Sequence, residues 1–210
     1  MSASLTPATV LFLHLGLERP GRNLLNDSRG IVLIWGISSS VGAIAAQLAI
    51  QAGYAVVGVA SSRHKKLAES LDITYFVDRE SPTVTDELVA LGPFRAVLSA
   101  ADSPEDRTTL ANVLAAQGGG EIIAIAGSYP GLTFPEGVKA VSGPFVADLV
   151  DQKNKEFTEW LCWDYLEKVV SDNKLRSLPL DVMGGLSQVK RAWDQLREGK
   201  VSGKRLIITP

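Results

Sequence analysis

The residues whose types and spacing could do chemistry lie in one short turn, Gly36-Ile37-Ser38-Ser39-Ser40-Val41-Gly42. An apolar run at residues 31–35 precedes this turn, and an alanine-rich segment with helical spacing follows it, which is typical of a buried strand leading into a helix. Glycines permit a sharp exit from the strand and close packing of strand and helix, and small serines permit close backbone approach. The first turn of a helix offers free N–H groups and a positive dipole. The pattern therefore predicts a phosphate or pyrophosphate site formed by Gly36, Ser38, Ser39, Ser40 and Val41.

Strands and helices alternate regularly after this turn. The predicted strands are residues 31–35, 54–60, 74–77, 96–99 and 121–126, and the predicted helices are residues 40–52, 63–71, 82–91 and 103–116. Pro and Gly interrupt one more predicted strand at about residues 138–146. Short strands that alternate with helices indicate parallel βαβ units with a sheet covered on both faces. The sequence predicts an α/β fold, a Rossmann-type doubly wound parallel sheet of about six strands with helices on both faces.

Three segments follow from this pattern. Residues 1–30 are predicted to be a leading helix, within residues 5–17, and a turn-rich linker, and residues 31–150 form the nucleotide-binding domain. Residues 151–210 complete or flank the same domain with an extra strand-helix-strand segment. The predicted elements there are a helix at 153–172, a strand at 176–180, a helix at 185–198 and a strand at 205–209.

The end of the second strand indicates which nucleotide would bind. In a Rossmann unit an acidic residue there binds the ribose 2′-OH of NAD, whereas small and basic residues accept the 2′-phosphate of NADP. This chain has no carboxylate at that position. Cations at the start of a helix oppose its dipole, which argues against a purely solvated surface cluster. We therefore predict NADP(H), with the adenosine phosphate held by Ser61, Ser62, Arg63 and Lys65.

Ligands of parallel sheets lie outside the carboxyl ends of the strands, and two further strand ends fall into that zone. Ala100 follows the fourth strand, and Tyr129 follows the fifth. Both are predicted cofactor-binding residues on position alone. Tyr129 is the only phenol near a predicted strand end, but the sequence assigns no catalytic residue.

Composition excludes several classes of protein. Hydrophobic residues make up 46% of the 210 residues, the net charge is −2, and no basic field suits nucleic acid. No apolar run reaches the ~20 residues of a membrane span. One cysteine and two histidines leave no cluster with zinc-ligand spacing. We expect a cytoplasmic protein without a metal site, acting on a small-molecule substrate and binding neither nucleic acid nor membrane.

Other chemistries fit the motifs less well. Residues 36–40 nearly match a GxSxG nucleophile elbow, but an α/β-hydrolase needs a histidine after a later acid, and His64 is the last histidine. Short-chain dehydrogenases need a Tyr-x-x-x-Lys dyad, whereas Tyr165 and Lys168 are three residues apart. A methyltransferase would call for an acidic ribose ligand at the second strand end. None of these readings displaces the dinucleotide site.

Three stretches resemble the medium-chain dehydrogenase/reductase superfamily, specifically its zinc-independent quinone reductase and fungal trans-enoyl reductase branch. They are VLIWGISSSVGAIAAQLAIQAGYAVVGVASS, GGGEIIAIAG and the C-terminal GLSQVKRAWDQLREGKVSGKRLIITP. Ile37 departs from the second glycine of the GGSSSVG turn familiar in that branch. The resemblance implies hydride transfer from NADPH to an enoyl or quinone-type acceptor, with the nicotinamide near residues 99–102, 126–129 and 200–203.

The same resemblance implies a missing partner. Members of the superfamily begin with a GroES-like catalytic domain, and this chain starts at about the helix that follows it. The superfamily also often dimerises through an edge strand, which the resemblance places near residues 141–146. We expect either such a homodimer or a separate catalytic-domain or synthase partner. The alternative hypothesis is a truncated, non-redox relative that acts as a nucleotide-binding or regulatory protein, or as a cyclase or isomerase on a small natural product.

Overall fold

Six parallel strands form the central sheet in the computed structural model, which describes residues 2–21 and 29–210. The strands are β1 Ile31–Trp35, β2 Ala55–Ala60, β3 Tyr75–Asp78, β4 Phe94–Ser99, β5 Gly120–Ala124 and β6 Val138–Ser142. Their order across the sheet is β3-β2-β1-β4-β5-β6, and every neighbouring pair is parallel. This order is that of a doubly wound dinucleotide-binding sheet. The predicted fold class is confirmed.

Helices cover both faces of this sheet. They are α1 Ser2–Thr9 with a π-helical continuation Val10–His14, α2 Ser40–Gln51, α3 Lys65–Ser70, α4 Val84–Leu91 and α5 Pro104–Ala116. Alternate residues of β1 point to opposite faces, as strand geometry requires. Val32 and Ile34 pack with α1 and α2, whereas Leu33 and Trp35 pack with α4 and α5. The sheet is therefore buried on both sides, and its carboxyl edge is the open end.

The aromatic-rich helix predicted at residues 153–172 is helical but irregular. A 3₁₀ turn Gln152–Asn154 leads into α6 Lys155–Glu159, a π-helical segment Trp160–Tyr165 and α7 Leu166–Ser171. Phe157, Leu161 and Tyr165 are buried in the core that also contains α1 and α2. The aromatic side chains Phe157 and Tyr165 of this helix therefore pack inward, while Trp163 stays exposed.

Near the C-terminus, β7 Leu180–Gly184 and β8 Arg205–Ile208 form a separate two-stranded parallel sheet, with α8 Val189–Arg197 between them. The strand predicted at residues 176–180 is wrong in position, because it starts at Leu180. The buried Gln47 side chain of α2 holds both backbone groups of Arg176, accepting from its N–H at 2.7 Å and donating to its carbonyl at 3.0 Å. This segment is therefore fixed against α2 before the strand begins.

Other predicted boundaries also differ from the structure. The strand predicted at about residues 138–146 ends at Ser142, since Pro144 precedes a 3₁₀ segment Phe145–Val150. The leading helix starts earlier than expected and includes Pro7. Most of the predicted linker, residues 22–28, lies outside the described residues. In the described part of the chain, no helix has the length and apolar character needed to cross a membrane.

Candidate cofactor site

The turn between β1 and α2 has a backbone that only glycine fits at two positions. Gly36 has φ +83°, and a Cβ there would lie 2.8 Å from the backbone N and O atoms of Ala101 in the loop after β4. A Cβ on Gly42 would lie 2.3 Å from the Gly36 carbonyl oxygen. Side chains at either place would push apart the turn, the helix and the neighbouring loop. The glycines thus bring three backbone segments together at the carboxyl edge.

Not all amides of this turn face outward. The N–H groups of Gly36 and Ile37 both donate to the Val59 carbonyl of β2, at 2.8 and 3.2 Å. Ser39 caps α2, its Oγ accepting from the Gly42 N–H at 3.0 Å. Within the described chain, the amides of Ser38, Ser40 and Val41 have no hydrogen-bond partner. Three N–H groups at the N-terminus of a 12-residue helix are suited to hold a pyrophosphate.

Ile37 explains how the turn tolerates the loss of its second glycine. Its side chain is fully buried and fills the space above Gly58, where a Cβ would lie 2.9 Å from the Ile37 Cδ1 atom. Ile37 therefore anchors the turn in the core and is not a ligand. Gly58, a lone glycine inside an apolar strand, was the available sequence signal for this close contact.

The turn after β2 holds the residues predicted to bind the adenosine phosphate. The Ser61 hydroxyl donates to Glu80 Oε1 at 3.1 Å, and the Ser62 N–H donates to Asp78 Oδ1 at 3.1 Å. Arg63 Nε donates to His64 Nε2 at 3.2 Å, while Lys65 is exposed at the start of α3. Sequence reasoning missed both carboxylates because they belong to the end of β3, not of β2.

His64 connects this turn to the C-terminal segment. Its Nε2 atom lies 2.8 Å from Ser202 Oγ, and the Gly203 N–H donates to the Ser38 carbonyl at 3.2 Å. Because an arginine N–H can only donate, Nε2 must accept from Arg63, so the imidazole is neutral with its proton on Nδ1. Burial lowers the pKa of His64 below its usual 6.5, and the charge of Arg63 lowers it further. The turn at residues 200–203 thus lies between the two predicted phosphate-binding turns.

A buried polar network joins the strand ends on the other side of β1. Arg107 of α5 contacts Asp102 through two nitrogens, at 2.5 and 3.0 Å, and donates to the Gly127 carbonyl at 3.2 Å. The side chains of Arg107 and Asp102 are 2% and 0% exposed. Ser99 Oγ also donates to Asp102, at 2.6 Å. This network, which sequence reasoning missed, ties the loop after β4 to the loop after β5.

Tyr129 completes the same network. Its hydroxyl donates to the Asp102 carbonyl at 2.6 Å and lies 3.1 Å from Asp102 Oδ1, and the Arg107 guanidinium sits 5.0 Å from the ring centroid. Burial raises the pKa of the phenol, and the nearby Asp102 carboxylate raises it further. Ala100 is buried, and its N–H donates to the Trp35 carbonyl at 2.9 Å. In this arrangement Tyr129 and Ala100 shape the loops at the carboxyl edge, and their role as cofactor ligands stays a prediction.

The structure therefore brings all the predicted groups to one edge of the sheet. We call the turn at residues 36–42 the phosphate turn. It contacts the loop after β4 through Gly36, and it contacts the 200–203 turn through Ser38. Across residues 2–21 and 29–210, no group of three or more His, Cys, Asp or Glu side chains could hold a metal ion. The site consists of backbone donors, hydroxyls and exposed cations, which is chemistry for a phosphorylated organic ligand.

Comparison with known proteins agrees with this geometry. No protein-family model matches the chain. The chain is similar to the trans-enoyl reductase himH of Aspergillus japonicus, with 31% identity over 207 residues that span 97% of this chain and 58% of that protein. Other curated relatives are named dehydrogenases or trans-enoyl reductases.

Solved structures share the fold. The quinone oxidoreductase of Pseudomonas syringae pv. Tomato DC3000 superposes with a TM-score of 0.74 at 17% identity, over 100% of this chain and 63% of that chain. CurA from Vibrio vulnificus, solved in complex with NADPH, superposes with a TM-score of 0.65 at 15% identity, over 98% of this chain and 62% of that chain.

The predicted resemblance to the enoyl and quinone reductases of the medium-chain dehydrogenase/reductase superfamily is confirmed. This chain spans less than two thirds of the length of the relatives it matches. The match to himH spans 97% of this chain and therefore includes the six-stranded sheet and its glycine turn.

Proposed function

We propose that this chain is the cofactor-binding part of an oxidoreductase that transfers a hydride from NADPH to an enoyl or quinone-type acceptor. The observation that carries the proposal is the phosphate turn, where the amides of Ser38, Ser40 and Val41 are free at the start of α2. The names of the curated relatives supply the reaction class. In this proposal the enzyme works in the cytoplasm and needs no zinc.

The residues fit a dinucleotide as follows. The three amides hold the pyrophosphate, and Arg63 and Lys65 face the adenosine phosphate because no carboxylate ends β2. The nicotinamide would supply the hydride, while the protein positions it and shields it from water. The loops after β4 and β5, joined by Arg107, form the wall on that side. A proton donor for the acceptor is not among the assigned residues, since the Tyr129 hydroxyl already donates to Asp102.

Fluorescence titration with NADPH, followed by incubation with enoyl and quinone acceptors, tests this function. We expect saturable binding and loss of NADPH absorbance with one acceptor class. Binding without turnover of any acceptor would favour the non-redox alternative, and no binding of either nucleotide would refute both. Replacing Arg63 and Lys65 by alanine should weaken NADPH binding by about tenfold and leave NADH binding nearly unchanged, as expected for lost charge-assisted contacts to a phosphate.

A second part of the proposal concerns a partner domain. Six large apolar side chains of β7, α8 and the turn between them are exposed, and we call this set the α8 face: Leu180, Val182, Leu186, Val189, Trp193 and Leu196. Large apolar side chains that stay exposed on neighbouring elements are typical of interaction surfaces. An isolated two-stranded sheet is also marginally stable by itself. The α8 face therefore needs a cover.

We propose that the cover is a domain of the kind that makes up the rest of the relatives' length, because this chain matches only 58% of himH. The test joins the unmatched region of himH to this chain and follows the emission of Trp193 and the binding of a hydrophobic dye. Covering the α8 face should shift the Trp193 emission to shorter wavelength and reduce dye binding. Trp163→Ser, which removes another exposed tryptophan outside the face, is the matched background. Dimerisation of the chain alone, with loss of dye binding, would show instead that a second copy covers the face.

A further inference from the structure

A carboxylate lies beside the turn that would select the cofactor, although none ends β2. β2 and β3 are paired in register up to Ala60 and Asp78, and the Arg79 N–H continues the pairing by donating to the Ala60 carbonyl at 3.0 Å. This pairing carries Glu80 to Ser61, whose hydroxyl donates to Glu80 Oε1 at 3.1 Å. The end of β3 thus supplies an acidic group at the place where the adenosine ribose would lie.

No neighbouring cation neutralises this carboxylate. Arg79, the adjacent residue, directs its guanidinium away to Asp106 of α5 at 2.6 Å. Arg63, on the opposite turn, donates to His64. Among the residues that the structure describes, no salt bridge includes Glu80, and its side chain is exposed. Glu80 therefore places a carboxylate without a cationic partner next to Ser61.

The two nicotinamide cofactors would meet Glu80 differently. The Ser61 hydroxyl has one proton, so it can donate either to Glu80 or to a 2′-phosphate, but not to both. A bound phosphate would also place like charges side by side, which disfavours it. A free ribose 2′-OH would instead offer a donor that the carboxylate accepts, as acidic residues do in NAD sites.

We propose that Glu80 is a specificity-determining residue that reduces the preference for NADPH and allows the site to accept NADH as well. This inference rests on the proposed function, since it concerns the same cofactor site. Arg63 and Lys65 attract the phosphate, and Glu80 opposes them from the neighbouring strand end. The balance of these charges sets the ratio of the two dissociation constants.

The experiment measures the dissociation constants of NADPH and NADH for the full chain by fluorescence. Glu80→Gln keeps the size of the side chain and removes its charge, and Glu167→Gln makes the same change on the exposed surface of α7. We expect Glu80→Gln to raise the ratio of the NADH to the NADPH dissociation constant about fivefold, as for a partly screened charge pair. Glu167→Gln should leave the ratio unchanged. Added salt should reduce the difference between wild type and Glu80→Gln.

The double variant Ser61→Ala/Glu80→Gln, compared with Ser61→Ala, tests the shared proton. Without the Ser61 hydroxyl, replacing Glu80 by glutamine should raise the ratio of the dissociation constants less than it does in the wild type. Thermal unfolding verifies that all variants fold. An unchanged ratio in Glu80→Gln, or equal changes in Glu80→Gln and Glu167→Gln, would overturn the inference while NADPH binding by the wild type upheld the proposed function. If the wild type bound neither nucleotide, the proposed function and this inference would both fall.

Discussion

The two ends of the proposed cofactor site, the adenosine end and the nicotinamide end, are built from similar residues in opposite surroundings. At the adenosine end, Ser61, Arg63 and Glu80 make single hydrogen bonds near the surface. At the nicotinamide end, Arg107 and Asp102 form a two-point ion pair that is almost fully buried. Buried charges are costly to leave unpaired, whereas exposed pairs contribute little. We therefore propose that the adenosine end determines ligand choice and that the nicotinamide end maintains the shape of the loops.

Removing Arg107 should have the largest effect of any change at either end. Arg107→Met leaves Asp102 buried without its cation, which we expect to lower the free energy of unfolding by about 3–5 kcal/mol. Arg79→Met breaks a comparable ion pair, with Asp106, in which the arginine is 38% exposed. Asp106 is only 10% exposed, but its partner reaches water, so this control should cost less than Arg107→Met. Urea denaturation of both variants is the measurement, and equal losses would remove the distinction between the two ends.

The phosphate turn lies between these two ends, and a glycine pair tests how much it depends on close packing. Gly36 and Gly131 have nearly the same φ, +83° and +85°, but only a Cβ on Gly36 would clash, while nothing lies within 4 Å of one on Gly131. Alanine at either position should cost about 1–2 kcal/mol of stability for the left-handed backbone. Gly36→Ala should in addition displace the loop after β4 and abolish NADPH binding.

Calorimetric titration of the two glycine variants with NADPH separates the effect of the left-handed backbone from the effect of the clash between the added Cβ and Ala101. Retained binding in Gly36→Ala would show that the loop after β4 moves without harm to the site. Lost binding in Gly131→Ala would implicate the loop after β5 more directly than the structure does.

The sequence predicted the parts of the molecule that depend on local patterns. Apolar runs, helical spacing and a glycine turn are local signals, and the sheet and the phosphate turn follow from them. The contacts Ser61–Glu80 and Arg107–Gly127 join different elements, so their members carry no signal of each other in the chain. For the same reason the strand predicted at residues 176–180 was misplaced, since its backbone is held by Gln47, which is 129 positions away. Ile37 was noted as a departure, but its burial above Gly58 needed the fold.

The smallest expected effect is a pH dependence of stability that involves His64, where the adenosine end meets the 200–203 turn. The pKa of His64 in the folded protein is below its ordinary 6.5. As the pH falls below 6.5, the unfolded chain therefore binds a proton before the folded protein does, and the free energy of unfolding decreases. It recovers as the pH rises through the same window. Protonation also removes the Nε2 lone pair that accepts from Arg63, whereas the new Nε2–H can still donate to Ser202 Oγ.

Thermal unfolding of the wild type and of His64→Asn across this pH range measures the effect. His64→Asn should have a flatter pH profile, while His14 is present in both proteins and cancels from the difference. Ser202→Ala, which removes the partner but keeps the imidazole, should retain a pH dependence closer to that of the wild type. Parallel profiles for the wild type and His64→Asn would mean that the imidazole titrates freely. The Gly203–Ser38 hydrogen bond would then be the main tie between the 200–203 turn and the phosphate turn, and the adenosine end would be even less constrained than its contacts indicate.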